Sequence, residues 1–432
     1  MSDRYDVVVV GAGSAGSSAA ISAARRGART LLVDRMAFMG GTSTAVLDTF
    51  YAFYTPGEAP RRVVGGLGWE VVESLKSEGV CFERPNTYGA GTGVTYDQES
   101  LKVTWERLAQ DAGVELLLHT WVTGVRLAHA RLTAVRTWNK GGESWFEGDA
   151  FVDSSGDGDV AALAGADYED MHTSGTVQSL STLFRLANVD VEHAAQTPKA
   201  QLWALMREAA ASGEYSLPRL EGSWHRTPFA GVVMIHMTRI PNVDATDPWA
   251  LTRAEIEGRR QVREYHRFLR DRVPGFEASV VVGTSPSIGV RESRRIVGDY
   301  QLTREDVLGG GRFDDEIALC GAPIEEHSSG VGTDWRYVEG SGVYGIPYRC
   351  LLPAGVEGLL VAGRCFSATH HAHASARSMA TCMAMGQAAG TAAALAAATG
   401  TTPRALAADE LRSRLREDGA LLEPLTPVEA AP

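Results

Sequence analysis

"DVVVVGAGSAGSSAAISAARRGARTLLVD" occupies Asp6 to Asp34. Its opening residues, Val7 to Val10, form the uninterrupted β-branched run that a strand covered on both faces requires. Gly11-x-Gly13-x-x-Gly16 follows at once, then small residues through Arg26 that read as a helix stopped by Gly27. Thr30 to Val33 reads as a second strand and ends in Asp34. This order predicts a βαβ unit in which Gly11 permits the tight turn, Gly13 lets backbone approach a pyrophosphate and Gly16 lets the helix press on the strand. The N–H groups at the helix start, from Ser14, Ala15 and Gly16, then point at phosphate. A carboxylate about 20 residues past the glycines can accept both hydrogen bonds of a ribose diol, so Asp34, with Arg35 beside it, marks the adenosine end and disfavours a 2′-phosphate. A lone GxGxxG can be an ordinary Gly-rich turn. Strand, glycines, helix, second strand and terminal acid in this order favour a dinucleotide site.

The rest of the chain sets the frame. At 432 residues it exceeds one ordinary core and implies two domains, or one with a large insertion. Composition is that of a folded protein, 44% hydrophobic and 22% charged, and irregular structure is expected only at the C-terminal "TPVEAAP". A net charge of -12 repels phosphate backbones, which argues against a nucleic-acid partner. The five cysteines, Cys81, Cys320, Cys350, Cys365 and Cys382, are scattered without a CxxC pair, which argues against a disulfide framework or structural zinc and fits a reducing cytoplasm. "MSDRYD" before the apolar run has no basic leader and the run is short, so neither a signal peptide nor a membrane span is expected.

After Asp34 the chain does not continue with further βα units, as an NAD dehydrogenase would. Instead "RMAFMGGTSTAVLDTFYAFYTPG" brings a Gly-Gly-Thr-Ser-Thr turn, Gly40 to Thr44, into an apolar segment. Gly40, Gly41, Thr42, Ser43 and Thr44 can offer backbone and hydroxyl donors at a helix start, as a flavin's ribityl-pyrophosphate arm needs; an ordinary capped loop is the competing reading. Ser100 to Trp138 reads as an amphipathic helix, a strand and a meander. "AFVDSSGDGDVAALAG" then runs a strand into Ser154, Ser155 and Gly156, small residues that allow close packing on the adenosine half. Asp157 and Asp159 read as caps of the helix that starts near Asp159.

Taken together, GAGSAG, MGGTSTA, DSSGDGD, GLLVAGRCFSATH with MATCMAMGQAAG, and a middle segment ending "IGVRESRRIVGDY" resemble the FAD-dependent oxidoreductases of the glutathione-reductase superfamily. The resemblance is narrower to flavoproteins related to fumarate reductase and succinate dehydrogenase, and it covers nearly the whole chain. It implies an α/β fold: a Rossmann-like FAD-binding domain, a parallel sheet with a β-meander, and an inserted α+β cap. The expected boundaries are 1–169 and 346–432 for the FAD domain, 170–345 for the substrate cap. A covalent flavin is not expected, because Met36-Ala37-Phe38-Met39 stands where fumarate reductases carry their linking histidine. The resemblance also counts Val122 in the meander, Gly363 and Arg364 after the late strand, and Ala380, Thr381 and Met383 at the last helix start among the cofactor contacts. That helix would aim its positive end at reduced flavin, and no Asp or Glu occurs from Gly358 to Ala408.

"CFSATHHAHASARSM", Cys365 to Met379, holds His370, His371, His373 and Arg377. A metal site is disfavoured, since the first two histidines diverge and no local carboxylate completes a shell. The resembled enzymes place a histidine and an arginine of this loop over the flavin, so His373 or His371 is the expected acid/base and Arg377 the anchor. Of "GVRESRR", Arg291 could reach substrate, while a structural network of Arg291, Glu292, Arg294 and Arg295 is the alternative. The cap, with strands such as "GVVMIHMTRIPNVD" from which His236 projects, is expected to form a mixed sheet. The implied activity is hydride transfer between FAD and a small polar organic substrate, with an unknown electron acceptor. A monooxygenase using NAD(P)H and oxygen, or a flavin electron-carrier subunit, are the alternatives.

Overall fold

In the computed structural model, which describes residues 3–86, 89, 91–327 and 332–425, the apolar run becomes the centre of a sheet. The tail expected to be irregular, residues 426–432, lies outside the described residues. In chain order the main elements are β1 (Asp3–Val10), α1 (Ser14–Arg25), β2 (Thr30–Val33), β3 (Glu115–Leu117), β4 (Trp121–Ala128), β5 (Arg131–Asn139) and β6 (Gly142–Asp153). There follow α2 (Asp159–Leu163), β7 (Phe184–Ala187), β8 (Ser223–Arg226), β9 (Val233–His236), α3 (Pro248–Arg272) and β10 (Val280–Thr284). Last come β11 (Ile324–Glu326), β12 (Asp334–Arg336), β13 (Leu359–Val361), α4 (His370–Ala376) and α5 (Met379–Thr399).

The principal sheet runs β3-β2-β1-β6 in parallel, and Val7, Val8 and Val9 are fully buried because layers cover both faces. At 12 residues β6 is long enough to serve two partners on one edge. Its first half pairs antiparallel with β5 of the meander, and its end, Phe151 to Asp153, pairs in parallel with β13. The late strand therefore returns to the opening fold.

Helix α5 lies against α1, and Gly386 and Gly390 make this possible. A Cβ on either would sit 2.0 Å from the carbonyl oxygens of Ala15 and Ala19 respectively, so only glycine allows the two backbones to meet. The main apolar core also takes in Leu302, Ile317 to Cys320 and Val343 to Leu352. A second core, Phe184 to Phe276, sits under β7 to β10 and packs against α3. That four-stranded sheet, in the order β8-β9-β7-β10, is wholly antiparallel, in place of the mixed sheet expected. The short link from Arg226 to Val233 reverses the chain as a hairpin does, which imposes antiparallel pairing.

Candidate active site

A cavity of about 250 Å³ runs from the glycine turn to the cap. At the nucleotide end it is lined by Gly13, Ser14, Ala15, Asp34 and Arg35, with Gly41 and Thr42 beyond them. Ser154, Ser155, Gly156, Gly363 and Arg364 complete this half. The three motif glycines separate by role. A Cβ on Gly11 would meet the Ser154 carbonyl oxygen at 2.3 Å, and one on Gly16 the Gly11 carbonyl oxygen at 1.7 Å. On Gly13 it would meet nothing within 4 Å, because that position faces the cavity. Asp34 accepts from the backbone N–H of Met36 at 2.6 Å and of Ala12 at 2.5 Å, which orients its carboxylate at the lip.

Other expected contacts hold the turn without lining the cavity. Gly40 N–H donates to the Ala12 carbonyl at 2.7 Å, Ser43 Oγ to the Gly40 carbonyl at 2.8 Å and Thr44 Oγ1 to the Met39 carbonyl at 2.6 Å. Val122 packs on the apolar layer behind β6. At the start of α5 the helical phase puts Ser378, Met379 and Cys382 on the cavity, so Ala380, Thr381 and Met383 point elsewhere: Thr381 Oγ1 donates to Cys320 Sγ at 3.3 Å, and Met383 meets Gly68. Asp157 and Asp159 are tie points in place of caps. Asp157 accepts from Ser293 at 2.7 Å and from Arg364 at 3.0 Å, and Asp159 pairs with Arg294 at 3.0 Å, while Gly158 occupies the cap position.

The histidine run requires a larger correction. None of His370, His371 and His373 lines the cavity. His373 is fully buried, its Nε2–H donates to the Arg364 carbonyl at 2.7 Å, its ring stacks on Phe366, and burial pushes it down to about 3. His370 Nδ1–H donates to the Glu292 carboxylate at 2.9 Å. His371 is partly exposed and 3.5 Å from Glu326. Helix α4 packs this face against β11, and so turns the histidines away from the cofactor half. Among the described residues, no group of three or more His, Cys, Asp or Glu is placed to hold a metal.

"GVRESRR" divides residue by residue. Glu292 is fully buried between Arg295 and His370; burial raises its carboxyl, but the His370 hydrogen bond and the neighbouring cations outweigh this and hold it at about 2. Arg295 continues to Glu169 at 2.7 Å, a structural network. Arg291 instead faces the cavity, donating to the Ser179 carbonyl, to Ser181 Oγ at 2.9 Å and to His236 Nε2 at 2.9 Å. Arg377 lines the cavity as well, and its buried Nε has no partner among the described residues. Burial, the largest influence, holds its guanidinium below its ordinary value.

Sequence reasoning missed Glu325 and His327, which line the cap end. The available signal was "IEEH", where strand alternation sends Glu325 one way and Glu326 the other. It also missed Tyr51 and Ala52. Ala52 holds φ at 70°, a left-handed conformation rare for alanine and found here on the cavity wall.

A glycine-faced slot at an uncapped helix N-terminus, a ribose-spaced carboxylate, and a buried Ser154 Oγ that has no partner among the described residues fit a flavin dinucleotide, with Gly13 to Ala15, Asp34, Gly41 and Thr42 placed to hold it. Fold and cavity together are those of a flavin-dependent redox enzyme. The chain belongs to the FAD dependent oxidoreductase family, whose sequence model matches residues 6–415. It is 30% identical over 148 residues to the vinyl phenol reductase of Lactiplantibacillus plantarum, a match that covers 27% of this chain and 30% of that relative's length. Among solved structures it is similar to a geranylgeranyl bacteriochlorophyll reductase-like protein of Thermoplasma acidophilum, at 13% identity and a TM-score of 0.46 over 97% of this chain and 85% of that one. It is also similar to the p-nitrophenol 4-monooxygenase of Pseudomonas putida, at 12% identity and a TM-score of 0.46 over 97% and 84%. No helix among the described residues is long and apolar enough to cross a membrane.

Proposed function

We propose that this FAD-dependent oxidoreductase moves a hydride between flavin and a small carboxylate-bearing organic substrate, oxidising CH–OH or CH–CH or reducing C=C, in the manner of flavoproteins related to fumarate reductase. The observation that carries the reading is Arg377: a half-buried side chain on the cavity wall, beside Arg291, whose buried Nε has no partner among the described residues. Leaving that N–H without an acceptor in a desolvated site is costly, and a substrate carboxylate supplies one. Bound FAD would supply the two-electron acceptor or donor. The chain's own work is to hold the dinucleotide along Gly13 to Ala15 and Asp34, to fix the substrate with Arg291 and Arg377, and to exclude water beneath the cap. In this reading residues 1–169 and 346–432 carry the cofactor, 170–345 select the substrate, and the flavin is held without a covalent bond.

The test is anaerobic mixing of the FAD-loaded protein with glycolate, malate or succinate, and separately with NADH or NADPH, while the flavin absorbance is followed. Bleaching by a carboxylate supports the proposal. Bleaching by NAD(P)H alone, followed by an oxygenated organic product on admission of air, sinks it in favour of a monooxygenase.

A further inference from the structure

Proton exchange at the cap end of the cavity needs a side chain with an open lone pair facing inward. His236 offers none on Nε2: an arginine nitrogen can only donate, so the 2.9 Å contact from Arg291 makes that ring nitrogen an acceptor and puts the ring hydrogen on Nδ1. His327 is engaged on both sides. Its Nδ1 accepts from Thr333 Oγ1 at 3.1 Å with Arg239 at 3.4 Å, which leaves the ring hydrogen on Nε2, and that nitrogen lies 2.9 Å from Glu325 Oε1. Cys382 Sγ donates to the Arg377 carbonyl at 3.3 Å, and burial pushes its thiol up to about 12. Glu325 differs from all of these: it lines the cavity, stays 30% exposed there, and His327 uses only one of its several acceptor sites.

Resting on the reading above of a carboxylate substrate, we propose that Glu325 is the residue that exchanges the substrate's proton and that His327 is its positioning residue. For an alcohol, the O–H bond breaks, its proton forms a new O–H bond on the Glu325 carboxylate, and its electron pair becomes the second C–O bond. The hydride leaves the same carbon for the flavin, the two-electron oxidant this family employs. In the reducing direction protonated Glu325 returns the proton. The period of β11 gives the assignment its geometry, because Glu326 points to the opposite side and meets His370 and His371 at 3.5 Å each.

The charged and titratable groups around Glu325 come from every neighbouring element: His327 beside it, His236 and Arg291 from the cap, and Arg377 before α5, with Arg219 and Arg239 behind His327. Burial first, then these arginines, hold His236 and His327 well below the ordinary histidine range.

Malonate titrated into the FAD-loaded protein, read through the flavin's visible spectrum, tests this without turnover. At about pH 8, where malonate is fully a dianion, Glu325→Gln should bind it more tightly than the wild type does, since the substitution removes a carboxylate from the wall that receives the anion. Anaerobic flavin bleaching by a carboxylate that reduces the wild type should slow about 100-fold or more in Glu325→Gln. His327→Leu should slow that bleaching about 10-fold by loosening the Glu325 side chain, and His327→Gln should largely restore the rate. A Glu325→Gln protein with the wild-type malonate affinity or the wild-type bleaching rate overturns the assignment, and an unchanged bleaching rate in His327→Leu removes His327 from it. If malonate leaves the wild-type spectrum unchanged at every pH, the carboxylate reading itself fails and takes this inference with it.

Discussion

Gly13 and Gly16 belong to one motif but answer to different demands. Gly13 has φ of -67° and open space where a Cβ would stand, so Gly13→Val should fold with a native melting curve yet purify with little FAD, a split read from circular dichroism and flavin content. Gly16→Ala drives a methyl into the Gly11 carbonyl and should lose fold and flavin together. Histidine at position 373 carries a prediction of another kind. Its folded-state value, about 3, lies below its unfolded one, so the unfolded chain binds the extra proton and stability falls as pH drops from 6.5 toward 3. Each pH unit in that window costs about 1.4 kcal/mol for one such group. His236 and the buried His327 add to the same slope, and Asp153, which burial pushes up to about 6, offsets part of it because its stabilisation is lost as pH rises. His373→Gln should therefore flatten, without abolishing, the rise of the unfolding midpoint between pH 4.5 and pH 6.5, where Glu292 no longer titrates. The histidine run was visible in the sequence; its direction was not, since that depends on which face of α4 meets β11.

Among the elements, α5 shows most clearly what a composition can hide. Its small residues, read alone, could suit any tightly packed helix; Gly386 and Gly390 turn out to set the distance to α1 and hence the position of the phosphate-facing turn. Gly386→Ala should lower stability by about 1–3 kcal/mol in urea unfolding and weaken FAD binding in parallel, because α1 has to move to make room. The expected cofactor contacts on this helix miss by a residue or two for the same reason: the start near Thr381 is in fact Met379, and a shift of that size rotates the cavity-facing set from Ala380, Thr381 and Met383 to Ser378, Met379 and Cys382. In "GVRESRR" the charges part company: Arg291 faces the cavity, while Glu292 and Arg295 pair with each other in the buried network.

Across the whole molecule, cap and cofactor layer are joined by buried polar contacts as well as apolar ones. His225 of β8 and Asp48, next to the Gly-Gly turn, lie 2.7 Å apart and almost wholly buried. Asp48→Ala strands the histidine and should reduce stability by about 3 kcal/mol, measured by denaturant unfolding, with faster proteolysis of the cap. No local pattern announces that pair, since its members are 177 residues apart. Sequence alone determined the βαβ opening, its dinucleotide character, and the flavin family, because those rest on contiguous signals: a β-branched run, glycines at fixed offsets, and an acid at the end of the next strand. Tertiary structure alone decided which charged side chains share the cavity. Arg291, Glu325, His327 and Arg377 converge from segments far apart in the chain, and such convergence follows from how β11, α4 and the cap pack, which no short stretch of residues encodes.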